Sequence, residues 1–200
     1  LGIGQVHLPE ASVLGVEGDL DAALRARCEG AVGRRYPGAS AALLRQVTER
    51  LDDELDVVRR LGYPSYFLTV AQVCDEIRGL GVRVAARGSG AGSLVNHLLG
   101  VSGVEPLSQG LLMERFCTVE RAQLPDIDVD VESARREEVY ARVVERFGGE
   151  RVSAVSMMDT YRVRRAVRDV GAALGMPPTE IGAIATAFPH VRARDARAAV

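Results

Sequence analysis

The sequence predicts an α+β domain, a small sheet with packed helices, followed by an all-helical segment. Three observations carry that class. Apolar residues recur at helical three- and four-residue steps across residues 19–80 and again across 133–147. Short stretches at 82–85, 126–131 and 152–156 alternate with the period of two that strands need. Beyond residue 157 the alternation stops and only helical periods remain, which places a boundary between a mixed domain, 1–157, and a helical one, 158–200.

Residues 1–18 mix Gly, Pro and short apolar runs without a period, and are expected to form a loop or an edge strand. Leu20, Ala23, Leu24 and Cys28 set the face of a helix over 19–35, which ends at the turn Tyr36-Pro37-Gly38. Leu44, Val47, Leu51, Leu55 and Val58 make one stripe of a second helix over 40–61, with Asp52, Asp53, Glu54, Arg59 and Arg60 largely outside it and Gly62 and Pro64 as its stop. Tyr66, Val70, Val73, Ile77 and Leu80 continue the period to Gly81, and a short strand is expected at Val82–Ala85. The small-residue loop Ala86–Ser93 runs into an apolar helix, Leu94–Leu99. A strand over Asp126–Val131 precedes an amphipathic helix, Ser133–Phe147, closed at Gly148-Gly149 as by a left-handed cap. A third strand is expected at Val152–Ser156. Then follow a helix from an Asp159 N-cap through Leu174, with Val163, Ala166, Val167 and Val170 inward, and a short helix from Pro177-Pro178-Thr179 to Phe188.

Composition removes several classes of function. All 25 basic residues are Arg, against 27 acids, so net charge of −2 predicts no polyanion partner. The charge is uneven, with seven Arg against four acids in 159–197, and Arg162, Arg164, Arg165 and Arg168 are candidates for a phosphate-contacting face, or simply for the solvated side of a helix. Cys28, Cys74 and Cys117, like His7, His97 and His190, have no paired spacing, which argues against zinc sites and disulfides and for reduced thiols. The chain starts at Leu1 without a leader and has no apolar run long enough to span a bilayer, so a cytoplasmic protein piece with no membrane partner is expected.

The richest segment is Pro125-Asp126-Ile127-Asp128-Val129-Asp130-Val131. Extended, it puts Asp126, Asp128 and Asp130 on one face and the branched aliphatics on the other. Crowded carboxylates repel unless cations neutralise them, and hard divalent ions take oxygen ligands. With Glu137, the same acids also fall on four positions of the calcium-loop template, but Val131 stands where that template needs Gly, and branched residues favour an extended backbone. A solvated acidic edge strand is the plainer alternative.

Arg87-Gly88-Ser89-Gly90-Ala91-Gly92-Ser93 follows a strand and precedes a helix, so its amides can converge on a phosphate with Arg87 supplying charge. A close helix–sheet crossing that needs small residues would read the same way. A Walker loop and a dinucleotide fingerprint both fail here, for want of Gly-Lys-Ser/Thr and of a third Gly at Ser93. Taken together, a Gly-Ser loop and a later Asp-x-Asp strand are the layout of nucleotidyl transfer by two metal ions, which requires no histidine base.

The chain resembles the bacterial family C DNA polymerases, the polymerase III alpha subunit and its error-prone relatives. Gly62-Tyr63-Pro64-Ser65-Tyr66-Phe67-Leu68, the Arg87–Val95 stretch, Leu112-Met113-Glu114-Arg115-Phe116 and Pro125–Asp130 are similar to that family's palm motifs in order and spacing, and Ala166–Gly171 is similar to the start of its thumb. The resemblance implies a nucleotidyltransferase-type, polymerase-beta-like palm over 1–157 and the start of a helical thumb over 158–200. It implies Asp126 and Asp128 as catalytic ligands of two magnesium ions, and Arg87, Gly88, Ser89 and, more weakly, Arg115 as nucleotide-binding residues. Asp130 shares their face without an assigned role. Implied partners are primer-template DNA, touched by Arg162, Arg164, Arg165 and Arg168, deoxynucleoside triphosphates, and other holoenzyme subunits through regions outside this chain. The family's third aspartate and its phosphate-binding lysine have no counterpart here, so an internal piece of a larger enzyme, inactive alone, is expected. A non-catalytic nucleotide-binding regulatory module and an EF-hand-like calcium protein are the alternatives.

Overall fold

The computed structural model describes residues 7–119, 124–155 and 160–191. It divides into two compact units, Leu1–Ser153 and Ala154–Val200. The first is helix-rich with one small sheet, and the second is helical.

In the first unit a one-turn helix, α1 (Ala11–Leu14), buries Leu14, so the described part of the segment expected to be loop or edge strand is neither throughout. Helix α2 (Leu20–Arg35) starts where the Asp19 carboxylate accepts the Asp21 amide at 3.0 Å, and buries Leu24, Cys28 and Ala31. Helix α3 (Ala41–Leu61) is capped by Ser40 Oγ, which accepts the Leu43 amide at 3.2 Å, and is stopped by Gly62 at φ 71°. Its stripe is Val47, Leu51, Leu55 and Val58. Leu44 lies a turn ahead of the covered stretch and is exposed, whereas Glu54, expected outside the stripe, is only 2% exposed.

Pro64 opens helix α4 (Pro64–Gly79) at a position where a missing N–H costs nothing. The fully covered face is Phe67, Leu68, Ala71, Cys74 and Ile77, while the expected Tyr66, Val70, Val73 and Leu80 are half-buried. The helix meets α1, α2 and the sheet, so it is enclosed on more than one stripe.

Strands β1 (Val84–Arg87) and β2 (Asp128–Val131) pair antiparallel, with Val84 opposite Val131 and Arg87 opposite Asp128. Strand β1 starts two residues later than expected because the Val82 amide is used in closing α4, donating to the Ile77 carbonyl. Strand β2 begins at Asp128 instead of Asp126, because its partner strand ends at Arg87 and turns into a 3-10 segment, Gly88–Gly92. Helix α5 (Leu94–Leu98) follows that turn and is buried along its whole length. A 3-10 turn at Ser133–Arg135 leads into α6 (Arg136–Phe147). Gly148 then takes φ 84°, ψ 148°, a positive-φ extended exit and not the expected left-handed cap. Residues 152–155 form no strand and Val155 is 89% exposed, so the third strand is absent there; Ser156 lies outside the described residues. Alternation alone cannot make a strand without a partner edge.

In the second unit, α7 (Val163–Ala173) packs on α8 (Pro178–Ala187). The expected N-cap, Asp159, is outside the described residues, and Arg162 occupies the cap position. Val163, Gly171, Ile181 and Ala185 are buried, whereas Val170, expected inward, is 58% exposed. The contact is close at Gly171, where a Cβ would lie 2.8 Å from Ile181 Cγ1.

Candidate functional site

The acids project where the alternation sends them. From Asp126 to Val131 exposure alternates residue by residue: Asp126, Asp128 and Asp130 are exposed, while Ile127, Val129 and Val131 are half-buried against the core. Asp126 keeps this phase although it precedes the hydrogen-bonded strand. An EF-hand needs a tight turn through these residues. The extended, paired backbone of Asp128–Val131 rules that alternative out.

Because Arg87 is the register partner of Asp128, the end of β1 delivers a guanidinium to the acid face. Arg87 Nε donates to Asp130 Oδ1 at 2.9 Å, and its Nη1 lies 4.0 Å from Asp128 Oδ2. The hydrogen bond to Asp130, then the charges of both acids, raise the Arg87 pKa. Gly88 follows at φ 76°, and a Cβ built there would be 3.8 Å from Asp128 Oδ2, so the loop backbone passes directly beside the carboxylate.

The glycine-rich turn also forms one side of a cleft of about 380 Å³, lined by Gly88, Ser89, Gly92, Leu111, Leu112 and Arg115. Three of the four expected nucleotide-binding residues thus line one cavity, and the fourth, Arg87, adjoins it in sequence. Gly92 comes so near the opposite segment that a Cβ would sit 3.0 Å from the Leu112 carbonyl oxygen.

The amides of Leu94 and Val95, which follow the loop at the start of α5, are taken up inside the protein. The buried Glu54 carboxylate accepts from Ser93 Oγ at 2.8 Å, the Leu94 amide at 3.0 Å and the Val95 amide at 3.1 Å, and Ser93 Oγ accepts the Asn96 amide. Arg50 Nε completes the arrangement at 2.7 Å from Glu54. The sequence did carry a signal for this pair: Glu54 falls three residues after Leu51 and four before Val58, on the apolar stripe, with Arg50 four residues upstream.

Tyr66 makes a contact that its helical period does not reveal. Its hydroxyl donates to the Pro125 carbonyl at 2.6 Å and so pins the chain just ahead of Asp126. Burial, with an added contribution from the Asp126 and Asp128 charges, pushes its pKa up to about 12, so the donor stays protonated.

Of the Arg residues expected to meet DNA, all in the second unit, Arg162, Arg165 and Arg168 are exposed. Arg164 is half-buried and donates from Nε to the Phe188 carbonyl at 2.7 Å. Among the described residues no set of three or more His, Cys, Asp or Glu is grouped to hold a metal, and no helix is long and apolar enough to cross a membrane.

The class that geometry defines is a helix-rich mixed domain whose acid-bearing strand lies beside Gly88, one of the residues lining a glycine-rich cleft. The chain belongs to the bacterial DNA polymerase III alpha NTPase domain family, whose model matches residues 22–199. It is 40% identical over 190 residues to an error-prone DNA polymerase of Pseudomonas fluorescens, covering 94% of this chain and 18% of that protein. It is 42% identical over 162 residues to the error-prone DNA polymerase of Pseudomonas aeruginosa, covering 81% of this chain and 15% of the relative. With that of Anaeromyxobacter dehalogenans it shares 46% over 139 residues, covering 70% and 12%. The chain therefore spans less than a fifth of the length of these curated relatives.

Proposed function

We propose that this chain is the palm, with the start of the thumb, of a DNA-directed DNA polymerase of the error-prone or replicative polymerase III alpha type, of nucleotidyltransferase-like fold and inactive without the rest of the enzyme. The observation that carries this is the juxtaposition of Asp128 with Arg87 and with Gly88, which lines the glycine-rich cleft. A module that merely binds nucleotide needs the cleft but has no use for exposed acids beside it.

The donor set suits magnesium. Asp126 and Asp128 are exposed carboxylates in the same phase, and magnesium binds through one or two carboxylates plus substrate phosphates and water, so a closed protein cage is unnecessary. What the metal pair supplies when bound there is a lowered pKa on the primer hydroxyl and neutralisation of the leaving diphosphate. The chain's own groups do the positioning. Arg87 supplies positive charge next to Gly88, and its contact with Asp130 holds the guanidinium along the acid face. Gly88, Ser89 and Arg115 line the space for the triphosphate, with Gly88 allowing backbone to approach Asp128 closely. Tyr66 holds the Pro125 carbonyl and hence the approach to Asp126.

The test is made in the full-length protein. Asp126→Asn and Asp128→Asn should each abolish primer extension while leaving the fold and primer-template affinity intact, since both side chains are exposed and outside the core. Extension at parental rates in either variant would overturn the assignment.

A further inference from the structure

We infer that the Arg50–Glu54 ion pair of α3 is a brace that sets the width of the nucleotide cleft, making both side chains positioning residues for the incoming triphosphate; this rests on the polymerase reading of that cleft. The two walls of the cleft come from segments far apart in sequence, the Gly88–Gly92 turn and the residues around Leu111 and Arg115. Glu54 grips the exit of the first wall through Ser93, Leu94 and Val95. Arg50 grips the second, with Nη2 donating to the Leu111 carbonyl at 3.3 Å while Nε holds Glu54 at 2.7 Å. One planar guanidinium therefore ties the two walls to one helix, in a fork geometry that lysine cannot reproduce.

The pair is built in, not incidental. Glu54 is 2% exposed and the Arg50 side chain 20%, unlike the pairs of Asp56 with Arg59 and Arg60 on the same helix, where the Arg side chains are 63% exposed. Neither brace residue lines the cleft, so both act through the backbone they hold.

In the full-length protein, Arg50→Lys keeps a cation beside Glu54 and loses the second grip. The double variant Arg50→Met/Glu54→Gln removes the charges and keeps an acceptor for the buried amides. Each should raise the KM for deoxynucleoside triphosphate about tenfold, the scale of one lost positioning contact, with primer-template affinity unchanged. Binding of inorganic tripolyphosphate, measured by calorimetry, should weaken by a similar factor. Arg59→Lys, at an exposed pair, should alter neither. A purely structural role would lower the melting temperature and leave KM and tripolyphosphate affinity within twofold of the parent, and that result in folded Arg50→Lys overturns the inference even if the double variant fails to fold. Should the unsubstituted full-length protein bind tripolyphosphate without extending primers, the polymerase reading fails instead, and the tripolyphosphate comparison still decides the brace.

Discussion

Removing the Glu54 carboxylate should cost the first unit a large part of its stability. In Glu54→Ala two buried backbone donors, the Leu94 and Val95 amides, lose their acceptor and cannot rotate to find another. Each orphaned buried amide costs about 1–3 kcal/mol. Arg50 loses its partner as well; a fully buried survivor would cost about 3–5 kcal/mol, but Arg50 is one-fifth exposed and keeps the Leu111 carbonyl. Ser93 Oγ can turn to another acceptor and adds little. The combined loss is about 3–5 kcal/mol, against a total stability of about 5–15 kcal/mol for a typical domain. For a chain of this size that lowers the melting temperature by roughly 6–20 °C. Glu54→Gln, which keeps one carbonyl oxygen but loses the charge, should fall about 1–2 kcal/mol. Thermal unfolding followed by far-ultraviolet circular dichroism checks the order: parent, Gln, Ala. An Ala variant melting within 2 °C of the parent, or level with Gln, would refute the claim that this carboxylate is what the α5 amides depend on.

Gly171→Ala should destabilise the second unit despite alanine's better helix propensity, because its Cβ would meet Ile181 Cγ1 at 2.8 Å and overpacking costs about 1–3 kcal/mol; in denaturant titrations Gly171→Ala combined with Ile181→Ala should lose less than the sum of the two single variants. Burial raises the Glu105 pKa, but hydrogen bonds from Tyr36 Oη and the Ser108 and Leu107 amides outweigh it and hold the group at about 2. A folded-state pKa below the unfolded one contributes stability above the ordinary carboxylate range that is lost as pH falls through it towards about 2, so melting temperatures of Glu105→Gln should depend less steeply on pH in that window than those of the parent. Arg165→Ala with Arg168→Ala should weaken duplex binding by the full-length protein uniformly across sequences and reduce its salt dependence; Arg164 is the wrong probe, because its bond to the Phe188 carbonyl makes it part of the unit's own packing.

The helices were legible because their signals are local. Asp19 and Ser40 cap α2 and α3 as their side chains dictate, and Gly62 and Pro64 end one helix and begin the next. The acid strand was legible for the same reason: strict alternation of carboxylates and branched aliphatics has only one extended arrangement that keeps charge in water. What escaped depended on partners. Val82 has the alternation of a strand residue, yet its amide is used by the end of α4; Val152–Val155 alternates but finds no edge to pair with among the described residues; Val170 has the inward period but is 58% exposed among them. Glu54 departs furthest from its local sequence signal, since a charged residue on an apolar stripe is ordinarily solvated, and the arrival of α5 forty residues later supplies the donors that make its burial tolerable.

The acid face is held from outside the sheet, because two short strands joined by a long excursion cannot hold themselves. Three restraints hold it: Ile127, Val129 and Val131 pack inward, Tyr66 fastens Pro125, and Glu54 fastens the far end of the loop that β1 feeds. The first of these also sets the register. A slip of one residue would turn Asp126, Asp128 and Asp130 into the core and three aliphatics into water, burying unpaired charge at a cost that no alternative pairing recovers. The same alternation that makes the strand fold in one register therefore places Asp128 opposite Arg87 and beside Gly88, so the geometry proposed for catalysis follows from hydrophobic burial on the opposite side of the ribbon.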